Sequence, residues 1–401
     1  MTNTNSYRLI IVLAVAITTF GINFIHFQVA GLAPQIMQAA QAAPEQFGLL
    51  MGMPLLAAAI LGIPLGALGD RFGVKPVVAV ALLVSLGGVA GRYVSEPLVG
   101  SYVIWMFLVG VSNAALNANF IKVLGMWLPP AQIGLGVGCY LAGIGLGQSS
   151  AVAVGSMFAG LDSAFRLSIW VTIAALIVWT LLIKAAPSGA PEMKPQPLAS
   201  SLKYVMVKPA IWVGGLCAFF MLGAYVTLNS FWVNSLISLK GVSPDKAGMT
   251  GSVVAFSLMI GSLVSASLAK AIGRSRFFLL GSGLISALCA YLSWSQEFSN
   301  LTVVLLFGVG FFSGAFLSFI LSLPMLLEYI GPVYGGSAGG VISTLQSSGG
   351  FALPFLLPML AKGQADGIFS LVALGFGAMA LIALLLPELL YAKKEIAPQA
   401  A

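Results

Sequence analysis

The chain has 401 residues, of which 59% are hydrophobic and only 7% charged, against about 25% charged in an average soluble domain. A soluble core cannot bury that much apolar surface with so few charges, so lipid must solvate most of the chain. The formal charge of +7 does not indicate nucleic acid, because Lys and Arg are scattered between apolar runs with no basic block and interleaved aromatics.

A membrane-crossing helix needs about 20 apolar residues. After a short polar start, Met1 to Tyr7, the first apolar run has no small-residue cleavage site before His26. It is expected to stay as a span and not to be removed as a signal peptide. Spans are predicted at 9–31, 47–68, 76–93, 99–126, 132–159 and 166–185, then at 209–238, 247–270, 277–294, 300–329, 333–361 and 367–391. Between the two sets, 186–208 reads as a linker, with Pro187, Pro191, Pro195 and Pro197 among Glu192, Lys194 and Lys203. The expectation is an all-α integral membrane protein of twelve helices. An N-terminal six-helix bundle at 1–185 and a C-terminal one at 209–401 would flank a central cavity. Cys139, Cys217 and Cys289 each lie in an apolar run, and no CxxC or Cys/His cluster suggests a disulfide or a metal. No cofactor is expected.

Orientation follows from the Lys/Arg bias. With the N-terminus inside, the inner side holds Arg8, Arg71, Lys75, Lys122, Lys184, Lys194, Lys203, Lys208, Lys270, Arg274, Arg276, Lys393 and Lys394. The outer side holds only Arg92, Arg166, Lys240, Lys246 and Lys362. Both termini and the linker are therefore expected in the cytoplasm, with Arg92 and Arg166 as anchors at the outer ends of spans 3 and 6. The halves also repeat: GALGDRFGVKP at 66–76 aligns with ASLAKAIGRSR at 266–276, placing Gly73 on Gly273 and Leu68 on Leu268. This supports a 6+6 duplication.

The segment Gly66-Ala-Leu-Gly-Asp70-Arg71-Phe-Gly73-Val-Lys75 resembles the signature between spans 2 and 3 of the major facilitator superfamily. That resemblance covers essentially the whole chain. It implies secondary transport by alternating access, and a latch role for Gly66, Asp70, Arg71, Gly73 and Lys75. In such a latch Asp70 meets the N-terminus of span 11 near Val333, where a helix end carries a partial positive charge. Lys270 stands where Asp70 stands in the second copy, so closure is expected to be asymmetric. Span 2, with Gly52-Met-Pro54 and Leu61-Gly62-Ile-Pro64, is loosely similar to the nitrate/nitrite porter branch and to the cyanate-type anion porters. The position of that branch's substrate arginine holds Gly62, with Ser262 at the 200-residue offset, so nitrate is not carried over.

Glycine runs at 134–148 and 335–350, which carry Gln148 and Gln346, are not preceded by a strand or followed by a phosphate-loop Lys. They read as small residues that let helices approach and slide. Polar residues inside spans are the candidate substrate ligands: His26 (span 1), Asn117, Asn119 and Lys122 (span 4), Tyr225 and Asn229 (span 7) and Gln346 (span 11). For each, interhelical packing or snorkelling to the interface is the plain alternative. The set offers donors and cations without a fixed anion, and no carboxylate stands mid-membrane in spans 1, 4, 7 or 10 for a proton relay. Among the functions, transport of a small solute leads, with an organic anion expected. Efflux of amphipathic compounds and a non-transporting membrane sensor of the same fold are the alternatives. Paired catalytic groups are lacking, so an enzyme is not expected. The expected partners are a small-molecule solute and the lipid bilayer, with no nucleic acid, and the chain is expected to work as a monomer in the cell membrane.

Overall fold

The computed structural model describes residues 2–184 and 198–387. Among these it has fourteen α-helices, twelve of them long and apolar enough to cross a membrane. The first six spans are α1 (Thr2–Gly31), α3 (Pro44–Phe72), α4 (Val74–Val94), α5 (Val99–Trp127), α6 (Pro130–Gly155) and α7 (Leu161–Leu182). The second six are α9 (Pro209–Lys240), α10 (Pro244–Ile272), α11 (Ser275–Ser295), α12 (Asn300–Leu326), α13 (Gly331–Leu360) and α14 (Ala365–Ile382). Two short helices, α2 (Ala33–Ala39) and α8 (Leu198–Met206), complete the set.

Local chemistry marks the helix ends. Proline opens α3, α6, α9 and α10, where its missing N–H has no intrahelical partner to lose. The turns after α3 and α10 pass through Gly73 (φ 89°) and Gly273 (φ 79°), in the left-handed region where a side chain would be strained. These are the two glycines that the internal repeat aligns.

The short helices differ from expectation. At seven residues, α2 is too short to show helical periodicity, and it is held by Gln35, whose amide donates to the Phe158 carbonyl at 2.9 Å. The other, α8, occupies the described part of the stretch read as a linker, whose earlier residues lie outside the described chain. The Tyr204 hydroxyl of α8 donates to the Tyr329 carbonyl at 3.0 Å, and its ring stacks on Tyr334 at 4.3 Å. Lys208 lies over the Tyr204 ring.

Packing follows the repeat. In the first set α1 packs on α6 and α7, α3 on α5, and α4 on α5 and α7. In the second, α9 packs on α13 and α14, α10 on α12, and α11 on α12 and α14. Each pair in one bundle thus has its counterpart in the other. The two bundles meet chiefly along α3–α13 and α6–α10, which are themselves equivalent pairs.

Glycines make these seams possible. A Cβ on Gly48 would collide with the Pro354 carbonyl, and one on Gly52 with Phe351. Across the other seam, Gly248 lies against Ser156 and Gly145 against Met259. The close α3–α13 approaches at Gly48, Gly52 and Gly350 lie toward the end of the bundle opposite the N-terminus. Toward the N-terminal end, Gly62 of α3 and Gly336, Gly339 and Gly340 of α13 have nothing within 4 Å of a built Cβ. Along this seam the bundles are therefore in close contact at the end opposite the N-terminus and uncovered at these glycines toward the N-terminal end.

Candidate functional site: the polar centre between the bundles

Three buried polar side chains join the bundles. Tyr225 of α9 donates its hydroxyl to Gln148 Oε1 at 2.6 Å. Gln148 Nε2, on α6, donates to Asn23 Oδ1 at 3.0 Å, and Asn23 of α1 donates to the Thr19 carbonyl. All three are buried, so each bond forms where water cannot replace it. Phe27 of α1 packs against the Tyr225 ring. Gln148 stands at the end of a glycine run whose Gly143 and Gly147 press on α1 at Ala16 and Phe20. The run does serve close packing, and it also delivers a polar bridge that sequence reasoning passed over.

His26 is buried one turn beyond Asn23. Its Nε2 lies 2.9 Å from the Met51 carbonyl. A carbonyl only accepts, so Nε2 carries the proton, and Nδ1 is left without a partner among the described residues. Asn229 is buried one turn along α9 from Tyr225; it donates to that residue's carbonyl and leaves Oδ1 unpaired. Gln346 is half-buried on α13, with no hydrogen bond among the described residues.

The span-4 candidates do not gather with these. Asn119 is fully buried and donates to the Leu65 carbonyl of α3 at 3.1 Å. Lys122 Nζ donates to the Gly66 carbonyl at 2.9 Å. Met51, which His26 touches, and Gly66, which Lys122 touches, are about 22 Å apart along α3 at roughly 1.5 Å per residue. One small solute cannot contact both His26 and Lys122. Asn117 stands apart again: it is exposed, donates to Asn113 Oδ1 at 2.7 Å, and accepts from the Tyr140 hydroxyl. Tyr140 stacks face to face on Phe120 at 3.8 Å.

The most consequential side chain was read as an interfacial anchor. Arg92 of α4 is 1% exposed, sunk inside the first bundle and not placed at its surface. Its partners are all neutral: the Ile25 carbonyl at 3.5 Å, Met106 Sδ at 3.3 Å, the Ser168 hydroxyl at 3.4 Å and the face of Phe165 at 4.6 Å. Ser168 in turn bonds Gln28 of α1. Among the described residues no Asp or Glu forms an ion pair with it. Arg166, by contrast, is exposed and pairs with Asp162 at 2.7 Å.

In the 66–75 segment, Arg71 is exposed over Phe72. Gly73 makes the turn, and the Lys75 carbonyl accepts from Trp179 Nε1 at 3.0 Å. The side chains of Asp70 and of Gly331, Pro332 and Val333 lie outside what the structure describes, so the latch contact expected between them does too.

The arrangement has no hydrolytic or redox constellation among its described residues and joins two six-helix bundles through buried polar groups. Comparison with known proteins fits it: the family model of the Major Facilitator Superfamily matches residues 10–354. The chain belongs to the Major Facilitator Superfamily. It is 24% identical over 364 residues to the nitrite extrusion protein of Bacillus subtilis (strain 168), spanning 89% of this chain and 87% of that protein. It is 24% identical over 303 residues to the 4-hydroxybenzoate transporter PcaK of Acinetobacter baylyi, spanning 63% of this chain and 64% of that one. In structure it resembles a bacterial homolog of the human lysosomal transporter Spinster in an inward-facing, unoccupied conformation. That likeness has a TM-score of 0.73 at 17% identity, over 94% of this chain and 95% of that one. The chain is thus a multi-pass membrane transporter of small solutes.

Proposed function

We propose that this transporter moves a small anion, an organic acid above all, across the cytoplasmic membrane by alternating access, with both termini in the cytoplasm. The observation that carries the reading is Arg92, a buried cation with no carboxylate partner among the described residues, set behind α1 beside His26. A charge held in low dielectric without a counter-charge costs several kcal/mol, and intramembrane ionisable groups kept at that cost mark solute pathways. The carbonyl it approaches, Ile25, is the residue before His26, so its field acts on the closed end of the cavity. An entering anion gains from that field and an entering cation loses. The relatives named for nitrite and for 4-hydroxybenzoate differ in size and aromaticity and share a negative charge.

With the termini inside, the cavity opens to the cytoplasm, and the Tyr225–Gln148–Asn23 bridge and the α3–α13 seam form the outer seal. The uncovered glycines Gly336, Gly339 and Gly340 then offer a surface on which the inner end closes in the alternate state. The solute site on this reading forms around Tyr225, Gln148, Asn229 and His26, which are buried in this state, with Gln346 and Asn117 along the open walls. Asn119 and Lys122 are assigned instead to holding α5 on α3 beside the latch segment. Each chain has its own cavity and is expected to work as a monomer.

Counterflow in proteoliposomes tests the reading, with labelled 4-hydroxybenzoate and nitrite as probes and tetraphenylphosphonium as the cationic control. Uptake of an anion, accelerated by an inside-positive potential, is the expected result. Preferential movement of the cation overturns it. Orientation is tested separately in intact cells: a single cysteine at Ser299 should react with an impermeant thiol reagent and one at Ser200 should not.

A further inference from the structure

Away from the central cavity, a cleft of about 320 Å³ opens between the ends of α9, α11 and α14, lined by Lys240, Tyr291, Trp294, Ser295, Asp366 and Phe369. Its rim carries one charge of each sign. Lys240 Nζ donates to the carbonyls of Trp294 and Gln296, each at 2.6 Å, which uses two of the three donors of an ammonium. Asp366 is exposed in the first turn of α14 and accepts from Trp294 Nε1 at 2.6 Å through Oδ1. Its second oxygen has no partner among the described residues, and the two charges form no ion pair with each other. The floor is Trp294 against Phe369, ring centroids 4.3 Å apart.

Below the rim, α11 and α14 run side by side and touch where Gly283 meets Ala380. Tyr291 and Leu288 of α11, and Leu374 and Leu381 of α14, are all more than half exposed and repeat at helical spacing along that seam. From Ser370 to Leu381 the stripe is about 16 Å long at roughly 1.5 Å per residue, close to one leaflet of a hydrocarbon core about 30 Å thick. A charged notch at the membrane surface thus continues into an apolar groove one acyl chain deep.

We propose that this notch binds a phospholipid whose headgroup carries both a phosphate and a primary amine. The phosphate takes the remaining Lys240 donor, the ammonium donates to the open Asp366 oxygen, and one acyl chain lies along the α11–α14 groove. A purely anionic headgroup would meet the Asp366 carboxylate unfavourably. A quaternary ammonium has no N–H to give it.

The test uses the full chain, delipidated and titrated with phosphatidylethanolamine, phosphatidylcholine or phosphatidylglycerol of identical acyl chains. Retained lipid is counted by native mass spectrometry. The amine lipid should bind roughly tenfold more tightly than either of the others, the scale of a lost charge-assisted hydrogen bond. Asp366→Asn keeps an acceptor for Trp294 and should abolish the preference for the amine lipid over phosphatidylcholine. Lys240→Gln also disturbs the α9–α11 junction, so Ser370→Trp, which blocks the groove and leaves both charges in place, provides the second variant and should reduce retention of all three lipids. Equal retention of the three by the wild type, a preference for phosphatidylglycerol, or an unchanged amine preference in Asp366→Asn overturns the proposal.

Discussion

Tyr225→Phe removes one hydroxyl and tests whether the polar bridge holds the bundles closed at the end opposite the N-terminus. The ring and its contact with Phe27 are kept, so packing is nearly unchanged. What is lost is the 2.6 Å bond to Gln148 Oε1, and that oxygen, on a side chain only 7% exposed, then has no partner from α9. A net hydrogen bond is worth about 1 kcal/mol, and a buried orphan costs about 1–3 kcal/mol. The bond spans the two bundles, so the loss falls on the state sealed at this end and hardly on the opposite one. A bias of about 1–2 kcal/mol changes the population ratio by roughly 5–30-fold. The assay places a cysteine at Leu55, buried at the α3–α13 seam against Gly350, in a background with Cys139, Cys217 and Cys289 changed to alanine. The rate of modification by an impermeant reagent from the sealed side should rise by that factor in Tyr225→Phe. In a double-mutant cycle with Gln148→Leu the two effects should fall well short of additive. An unchanged labelling rate, or full additivity, refutes the gate assignment.

Gly48→Val should place methyl groups where the Pro354 carbonyl stands, so the α3–α13 seam cannot close; strong sealed-side labelling of Leu55→Cys and loss of counterflow are expected in a protein that still inserts. Arg92→Met should leave the melting temperature of the purified protein unchanged or raised, because its polar contacts lie at 3.3–3.5 Å and a buried charge is often replaced by a hydrophobe without loss, while anion counterflow falls tenfold or more; a collapse in stability with normal flux per folded molecule would make it a brace only. Lys122→Gln should lower stability by about 1 kcal/mol through the lost bond to Gly66 and leave the apparent affinity for 4-hydroxybenzoate within about twofold. Asp70→Asn should slow transport with normal insertion, whereas Lys270→Ala should be mild; equal losses at both would remove the asymmetric latch.

Hydropathy and helix signals are local, which is why the twelve spans, the glycine turns at 73 and 273 and the repeat of the halves could be read along the chain. A segment of 20 apolar residues must satisfy its backbone within itself in lipid, so its helical state does not depend on its neighbours. Which faces meet is a different matter. Asn23, Gln148 and Tyr225 are separated by 125 and 77 positions, and nothing in one span announces the partner in another. Gln148 read as the edge of a packing run until α9 was set against it. Arg92 read as an anchor because it lies near a helix end, and only the crossing of α1, α5 and α7 around it shows a buried charge. Lys122 and His26 read as one cavity's ligands because both are polar in cavity-lining spans, yet their levels along α3 differ by most of a bilayer. The short helices α2 and α8 carried too few residues for periodicity, and contacts with distant turns decided their state. The sequence by itself determined how many membrane-crossing helices there are and which residues each carries. The tertiary structure decided which polar groups lose water together, because desolvation depends on every helix packed around a side chain and not on the one that carries it.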